Sequence, residues 1–299
     1  MLVKPLSLTI TITFVLLPLA VTGNAQQQTR SRTGADGAFM KAAPVKTSME
    51  RLEKAADDFE DSFEMSLDRS SYNGSHTEDT LLRWADMFED EVDNMVEDFK
   101  ENDTKEYIDH FENAMIVGSA INRSMLRKDF AAHAEKSWSA IRADLNHIAA
   151  EMHRPPLPNV TVISIVPATA ALMVKVDVKQ ALEQIEAGTD RFEKKFRDAL
   201  HSSTANMTTR ESTWTQWADY LENTSDDMLE EFKENDPKEF QEELERTMMV
   251  AEAINRIVLR SDLFADAELE WRNVRNNLNV IAGGFGYPVL TAATAATRL

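Results

Sequence analysis

The chain has 299 residues, 43% of them hydrophobic, with nine Gly and nine Pro, which suits roughly two helical domains of about 150 residues. The absence of Cys excludes disulfides, a thiol nucleophile, thiolate metal ligands and a lipoprotein anchor. A formal charge of −19 opposes binding to nucleic acid or anionic lipid and leaves neutral or basic envelope proteins as suitable partners.

Residues 1–25 read as a secretory signal. Lys4 supplies a short positive start, Leu6 to Leu19 is apolar, and Gly23 and Ala25 are the small residues before a cleavage point. Pro18 interrupts the apolar run, which is short of the roughly 20 residues a bilayer span needs. Two outcomes are open, cleavage after Ala25 or retention as an anchor. With the signal removed, no membrane span is expected, and the location is periplasmic or secreted. Residues 26–44 read as a flexible segment.

The rest of the chain repeats itself. Shifting the sequence by 133 residues places Trp84 on Trp217, Phe99 on Phe232 and Trp138 on Trp271. Val45 to Ala149 matches Val178 to Ala282 at 46 of 105 positions without a gap. The spacing predicts an all-α fold of two tandem up-and-down four-helix bundles from an internal duplication, covering 45–154 and 167–285. A Pro-rich linker occupies 155–166 and a flexible tail 286–299.

Each copy carries four stretches of helical periodicity. In the first these are Leu52 to Leu67, Trp84 to Phe99, Tyr107 to Met125 and Ala134 to Ile148. Their 4-3 apolar spacing is the seam of left-handed bundle packing, one core in each copy. Asp103 with Glu106, and Asp236 with Glu239, have capping-box spacing, so Glu-Asn-Asp-x-Lys-Glu is a tight helix–helix turn. Ser75 and Glu78 cap the second helix, and Gly283-Gly284 end the last. Val160 to Val166 suggests an extended strap against one bundle. A new helix is expected near Pro167 or Ala168.

Catalytic motifs are missing. No His follows a Glu by three positions, as a carboxylate-bridged di-iron site requires, and no His recurs in both copies. The Met residues fall on core stripes. No phosphate loop, nucleophile elbow or His-Glu-x-x-His appears. The expectation is a protein that is not an enzyme and has no cofactor. Residues 86–106 hold ten acids and 219–239 hold nine, open to two readings, a solvated face or weak divalent-metal binding.

Both copies do keep one polar set. Asn122, Arg123, Arg127, Arg142 and Asn146 equal Asn255, Arg256, Arg260, Arg275 and Asn279. Arg142, one turn after Trp138, is placed to stack on the indole, and Arg142 and Arg275 are expected to pair with carboxylates of the second helix. Again two roles are open: bridges between helices, or a small anion or peptide site in each bundle.

The pattern Trp138-x-x-Ile141-Arg142-x-Asp144-Leu145-Asn146-x-Ile148-Ala149 resembles exported bacterial helical proteins of acidobacterial type, an uncharacterised family. Their last helix reads Trp, two residues, Leu-Arg, then Asp-Leu-x-x-Leu-Ala. Ala120-Ile121-Asn122-Arg123 is similar to their third-helix segment, with Asn where Asp is more usual. No Ala-Tyr-Asn tail follows here. The resemblance implies an envelope location and no activity. The functional expectation is therefore an exported non-enzymatic protein acting through surface contacts, as an envelope adaptor or structural component. The alternative is a ligand- or divalent-metal-binding bundle.

Overall fold

A computed structural model describes residues 43–163, 165–203, 209–259 and 264–291. The expected signal, most of the segment before residue 45 and the tail after Thr291 lie outside them. Nine helices are present among the described residues: α1 (Ala43–Leu67), α2 (His76–Glu101), α3 (Thr104–Ser124), α4 (Lys128–Glu151), the one-turn α5 (Ala170–Met173), α6 (Val176–His201), α7 (Thr209–Glu234), α8 (Pro237–Leu259) and α9 (Ala265–Gly284). No strand occurs among these residues; the only extended pairing is a parallel bridge between Arg127 and Ile163. No helix among them is long and apolar enough to cross a membrane.

Local chemistry sets the helix ends. Asp103 Oδ1 accepts from the Lys105 and Glu106 amides at 3.1 and 3.2 Å, and Asp236 Oδ1 does the same for Lys238 and Glu239 at 3.0 and 3.2 Å. The preceding Asn102 and Asn235 take left-handed conformations, φ 61° and 59°, which Asn tolerates and which stop the helix before each turn. Ser75 caps α2, and Glu78 reaches back to the Gly74 amide at 2.6 Å. The last helix ends differently from expectation. It runs through Gly283 and Gly284, and the left-handed residue is Gly286, φ 79°.

The stripes find their partners in the same order in each copy. Helix α1 packs on α2 and α4, and α2 on α3; α6 packs on α7 and α9, and α7 on α8. The third and fourth helices of a copy touch only lightly. Instead α3 packs broadly on α8. Every residue of α3 from Phe111 to Ser124 is buried, as is α8 from Glu242 to Ala251. The expectation of two separate cores is therefore corrected. Apolar packing runs without a break through α3 and α8, and the equivalent Trp84 and Trp217 meet there with ring centroids 5.2 Å apart. The physical reason is that both third helices are apolar on more than one stripe, so one bundle cannot bury them alone.

Extended chain fills the gap between third and fourth helices. In the first copy Leu157 is 2% exposed and packs over Gly118, whose missing Cβ would stand 3.5 Å from it. The strap then touches both copies rather than one: the Ile163 amide donates to Leu126 O at 3.0 Å and the Val166 amide to Phe285 O at 3.1 Å. The next long helix starts at Val176, after the single turn of α5. In the second copy residues 286–291, expected as part of a loose tail, fill the matching gap. Tyr287 and Leu290 are buried there.

Candidate functional site: a crossed polar seam and two acidic faces

The polar set repeated in the sequence converges where the straps lie. Asn122 sits at its centre. Its Oδ1 accepts from Trp138 Nε1 at 2.9 Å and Arg142 Nη1 at 3.0 Å, while its Nδ2 donates to Pro158 O at 3.1 Å. Asn255 repeats all three contacts, with Trp271 Nε1 at 3.1 Å, Arg275 Nη1 at 3.2 Å and Thr291 O at 3.0 Å. Asn146 reads both backbone groups of Leu157 at 2.6 and 2.9 Å. Asn279 does so for Leu290 at 2.7 and 3.0 Å. These amides hold an irregular segment against two helices and supply the partners its buried backbone needs.

Two expectations for Arg142 and Arg275 are corrected. Arg142 does not lie on the Trp138 ring or reach a second-helix carboxylate; it bonds Asn122 and Glu135 of its own helix. Arg275 turns to Asn255. Both guanidinium groups are drawn to the Asn oxygen, which without them would accept only from the indole.

The arginines of the third helices cross between copies. Arg123 donates to Glu252 Oε2 at 3.0 Å and to Pro288 O. Arg256 donates to Pro155 O at 2.6 Å. Pro155 and Pro288 are themselves one repeat apart, so each copy grips the strap of the other. Burial lowers the pKa of Arg123, against the Glu252 charge that raises it. Arg127 bonds both oxygens of Glu245, at 3.0 and 2.8 Å, and Ser71 Oγ at 2.6 Å. Its guanidinium lies 4.8 Å from the centre of the Tyr72 ring. Arg260 lies outside the described residues.

Glu245 is a residue that the motif reasoning passed over. Its carboxylate, 2% exposed, also accepts from Tyr72 Oη at 2.7 Å, Tyr287 Oη and Gln241 Nε2 at 3.2 Å. Burial, and then the Glu245 charge, hold both phenols above their usual range. The equivalent Glu112 takes Arg154 and Arg210 at 3.2 and 3.4 Å. The signal was available: between 107–127 and 240–260, Glu112 and Glu245 are the one acid identical in both copies.

His110 has no counterpart in the second copy. It is half-buried, with Nδ1 2.7 Å from Glu91 Oε2 and Nε2 3.8 Å from Asp98 Oδ2. Its hydrogen bond to Glu91 raises its pKa. The second copy places Glu243 there, bonded to Arg246.

On the outside, two acidic faces stand at equivalent places. Glu53, Asp57 and Glu60 on α1 oppose Asp86, Glu89 and Asp93 on α2. Glu186, Asp190 and Glu193 on α6 oppose Asp219, Glu222 and Asp226 on α7. All six pairs are identical across the repeat. A hydrogen bond with Glu89, then burial and the charges of Glu89 and Asp86, push Glu60 up to about 7. Burial, followed by Asp57, Glu89 and Glu53, raises Asp93. Burial, followed by Glu193 and Asp190, raises Glu222. Arg197 bonds Glu193 and Asp219 in the second face, where the first has Glu64. Among the described residues no group of three or more His, Asp or Glu is arranged to hold a metal ion.

Comparison with known proteins returns no matching family model, no matching curated protein and no matching solved structure.

Proposed function

We propose that the chain is an exported, non-enzymatic interaction protein, an envelope adaptor or structural component whose two acidic faces engage a basic partner. The observation that carries this reading is the duplicated set of six carboxylates between the first and second helices. Apart from the apolar core, these acids are much of what α1 and α6 keep in common. A hydrogen bond with Glu89 raises the pKa of Glu60, and burial, followed by the neighbouring acids, raises Asp93 and Glu222; a neighbouring cation relieves the part due to charge, and two faces on one chain give a multivalent basic partner added avidity. The polar set of helices three and four is occupied internally, which supports assigning binding to the acidic faces.

Calorimetric titration with a lysine-rich peptide tests the reading. Binding is expected to weaken with salt and to fall when Asp57, Glu60 and Glu89 are changed to Asn, Gln and Gln. Equal binding by that variant removes the proposal. The hydrogen-bonded pair Glu60–Glu89 favours a second reading, divalent-cation binding. Titration with calcium separates the two, because only the second gives heat without peptide.

Export and family belong to the same proposal. They are supported by residues 1–25 and by the Trp138 to Ala149 pattern, and the duplication by the 133-residue register. Intact-mass measurement of protein recovered from the envelope or medium tests export: a mature chain starting at Gln26 is expected.

A further inference from the structure

The loop that joins α1 to α2 holds Asn73-Gly74, the only Asn-Gly pair in the chain. Both residues are exposed. The Ser75 amide donates to Tyr72 O at 2.8 Å, which closes a four-residue turn with the pair at its centre. Gly74 takes φ 75° there, a conformation open to glycine at the third position of a turn. The Gly74 amide is held by a carboxylate, Glu78 Oε2 at 2.6 Å, and Asn73 Nδ2 donates to Asp68 O at 2.5 Å.

The backbone nitrogen that follows an Asn can close a ring, a succinimide, on the Asn Cγ. Two things oppose this: a side chain that crowds the nitrogen, and a main-chain hydrogen bond that fixes it. Among the described residues four exposed Asn lie outside helices: Asn73, Asn102, Asn159 and Asn235. The amides after Asn102 and Asn235 are tied to the main chain, Asp103 to Asp98 O at 2.9 Å and Asp236 to Glu231 O at 3.1 Å. Asn159 precedes the β-branched Val160, which crowds its own nitrogen. Asn73 alone of the four precedes a residue with no side chain, and a Cβ built on Gly74 would meet nothing within 4 Å.

We infer that Asn73 is a site of spontaneous deamidation, and that its products loosen the clasp between the two copies. The Gly74 nitrogen bonds to Asn73 Cγ as its proton passes to Glu78. The Cγ–Nδ2 bond breaks, and the side-chain nitrogen takes up that proton and leaves as ammonia. Water then opens the succinimide. Attack at Cγ leaves aspartate; attack at the main-chain carbonyl leaves isoaspartate, whose backbone runs through the side chain and is one carbon longer. The neighbours carry the consequence. Tyr72, 1% exposed, donates to Glu245 Oε2 at 2.7 Å, and Ser71 Oγ accepts at 2.6 Å from Arg127, which also bonds Glu245. Both products lose the donor to Asp68 O and set a carboxylate against that carbonyl, an acceptor facing an acceptor. Isoaspartate also lengthens the chain between Tyr72 and Ser75, the N-cap of α2.

Ageing the full chain at mildly alkaline pH, followed by peptide mass spectrometry, tests this. Trypsin releases residues 70–83, in which Asn73 is the sole Asn. That peptide is expected to gain the mass of an amide turned to an acid and to split into aspartate and isoaspartate forms, ahead of the peptides that carry Asn102, Asn159 or Asn235. Gly74→Asp copies the Asn102-Asp103 pair, tolerates the left-handed conformation, and is expected to slow the conversion about tenfold. The aged chain is expected to melt below the fresh one, whereas an aged Asn73→Gln chain keeps its Tm. An unchanged mass for residues 70–83, or conversion led by another of the four Asn, overturns the assignment. Full conversion with an unmoved Tm overturns the loosening of the clasp.

Discussion

Arg256 on α8 reaches the carbonyl of Pro155 at 2.6 Å. One repeat away in each direction, Arg123 reaches the carbonyl of Pro288. The two halves are thus closed by each other's straps, and the energetic consequences fall on the residues that hold those straps.

Asn122→Ala removes the acceptor of Trp138 and Arg142 and the donor to Pro158. Leaving buried donors unsatisfied costs about 1–3 kcal/mol per group, so a loss of roughly 2–4 kcal/mol is expected in chemical denaturation. Asn255→Ala is expected to match it. A loss below about 1 kcal/mol in both would show that the straps are held by apolar packing alone.

Glu245→Gln leaves the Arg127 charge facing a neutral amide in a buried site. Breaking a buried ion pair on one side typically costs about 3–5 kcal/mol. Adding Arg127→Met removes the stranded cation and is expected to recover part of the loss. A double-mutant cycle in urea measures the coupling; zero coupling would contradict the geometry at 2.8 and 3.0 Å.

Stability is expected to rise as pH falls from about 8 to about 5. Glu60 and Glu243 are both raised to about 7 from 4.5, the first chiefly by Glu89 and the second by burial. Between those values the folded state binds protons that the unfolded state does not, so acidification favours folding. His110 acts in the same sense, because its raised pKa gives stability that is lost as pH climbs through it. Glu60→Gln should flatten the pH dependence of Tm and raise Tm at pH 8. An unaltered profile would show that the Glu60–Glu89 contact is relaxed by solvent.

Gly188→Ala tests a close approach of α6 and α9. Helix propensity alone favours Ala by about 1 kcal/mol. Here its Cβ would stand 2.8 Å from Val274 Cγ2, a contact that forces α6 and α9 apart, and overpacking costs about 1–3 kcal/mol. A net lowering of Tm is expected; a rise would mean that Val274 turns away freely.

Much of the helical plan was legible because periodicity and caps are local. The turn at Asp103 and its twin at Asp236 sit where their spacing placed them. What escaped was non-local. Ile116 and Val250 lie off the 4-3 stripes of their helices yet are fully buried, and nothing in their spacing says what covers them. Leu157 and Leu290 look like loop residues until Asn146 and Asn279 are seen holding their backbone. The repeated polar set could be picked out by identity alone, yet its role could not. An Asn that clamps a strap and an Asn that binds a ligand have the same sequence signature. Glu245 shows in the sequence only through its identity with Glu112, because it is otherwise one acid among 51.

The reciprocal grip also sets an order of events as the polypeptide leaves the ribosome. Arg123 emerges 165 residues before the carbonyl it will meet at Pro288. Contacts so distant along the chain form late. The third helix of the N-terminal half therefore stays uncovered until α8 and the segment around Pro288 have joined it.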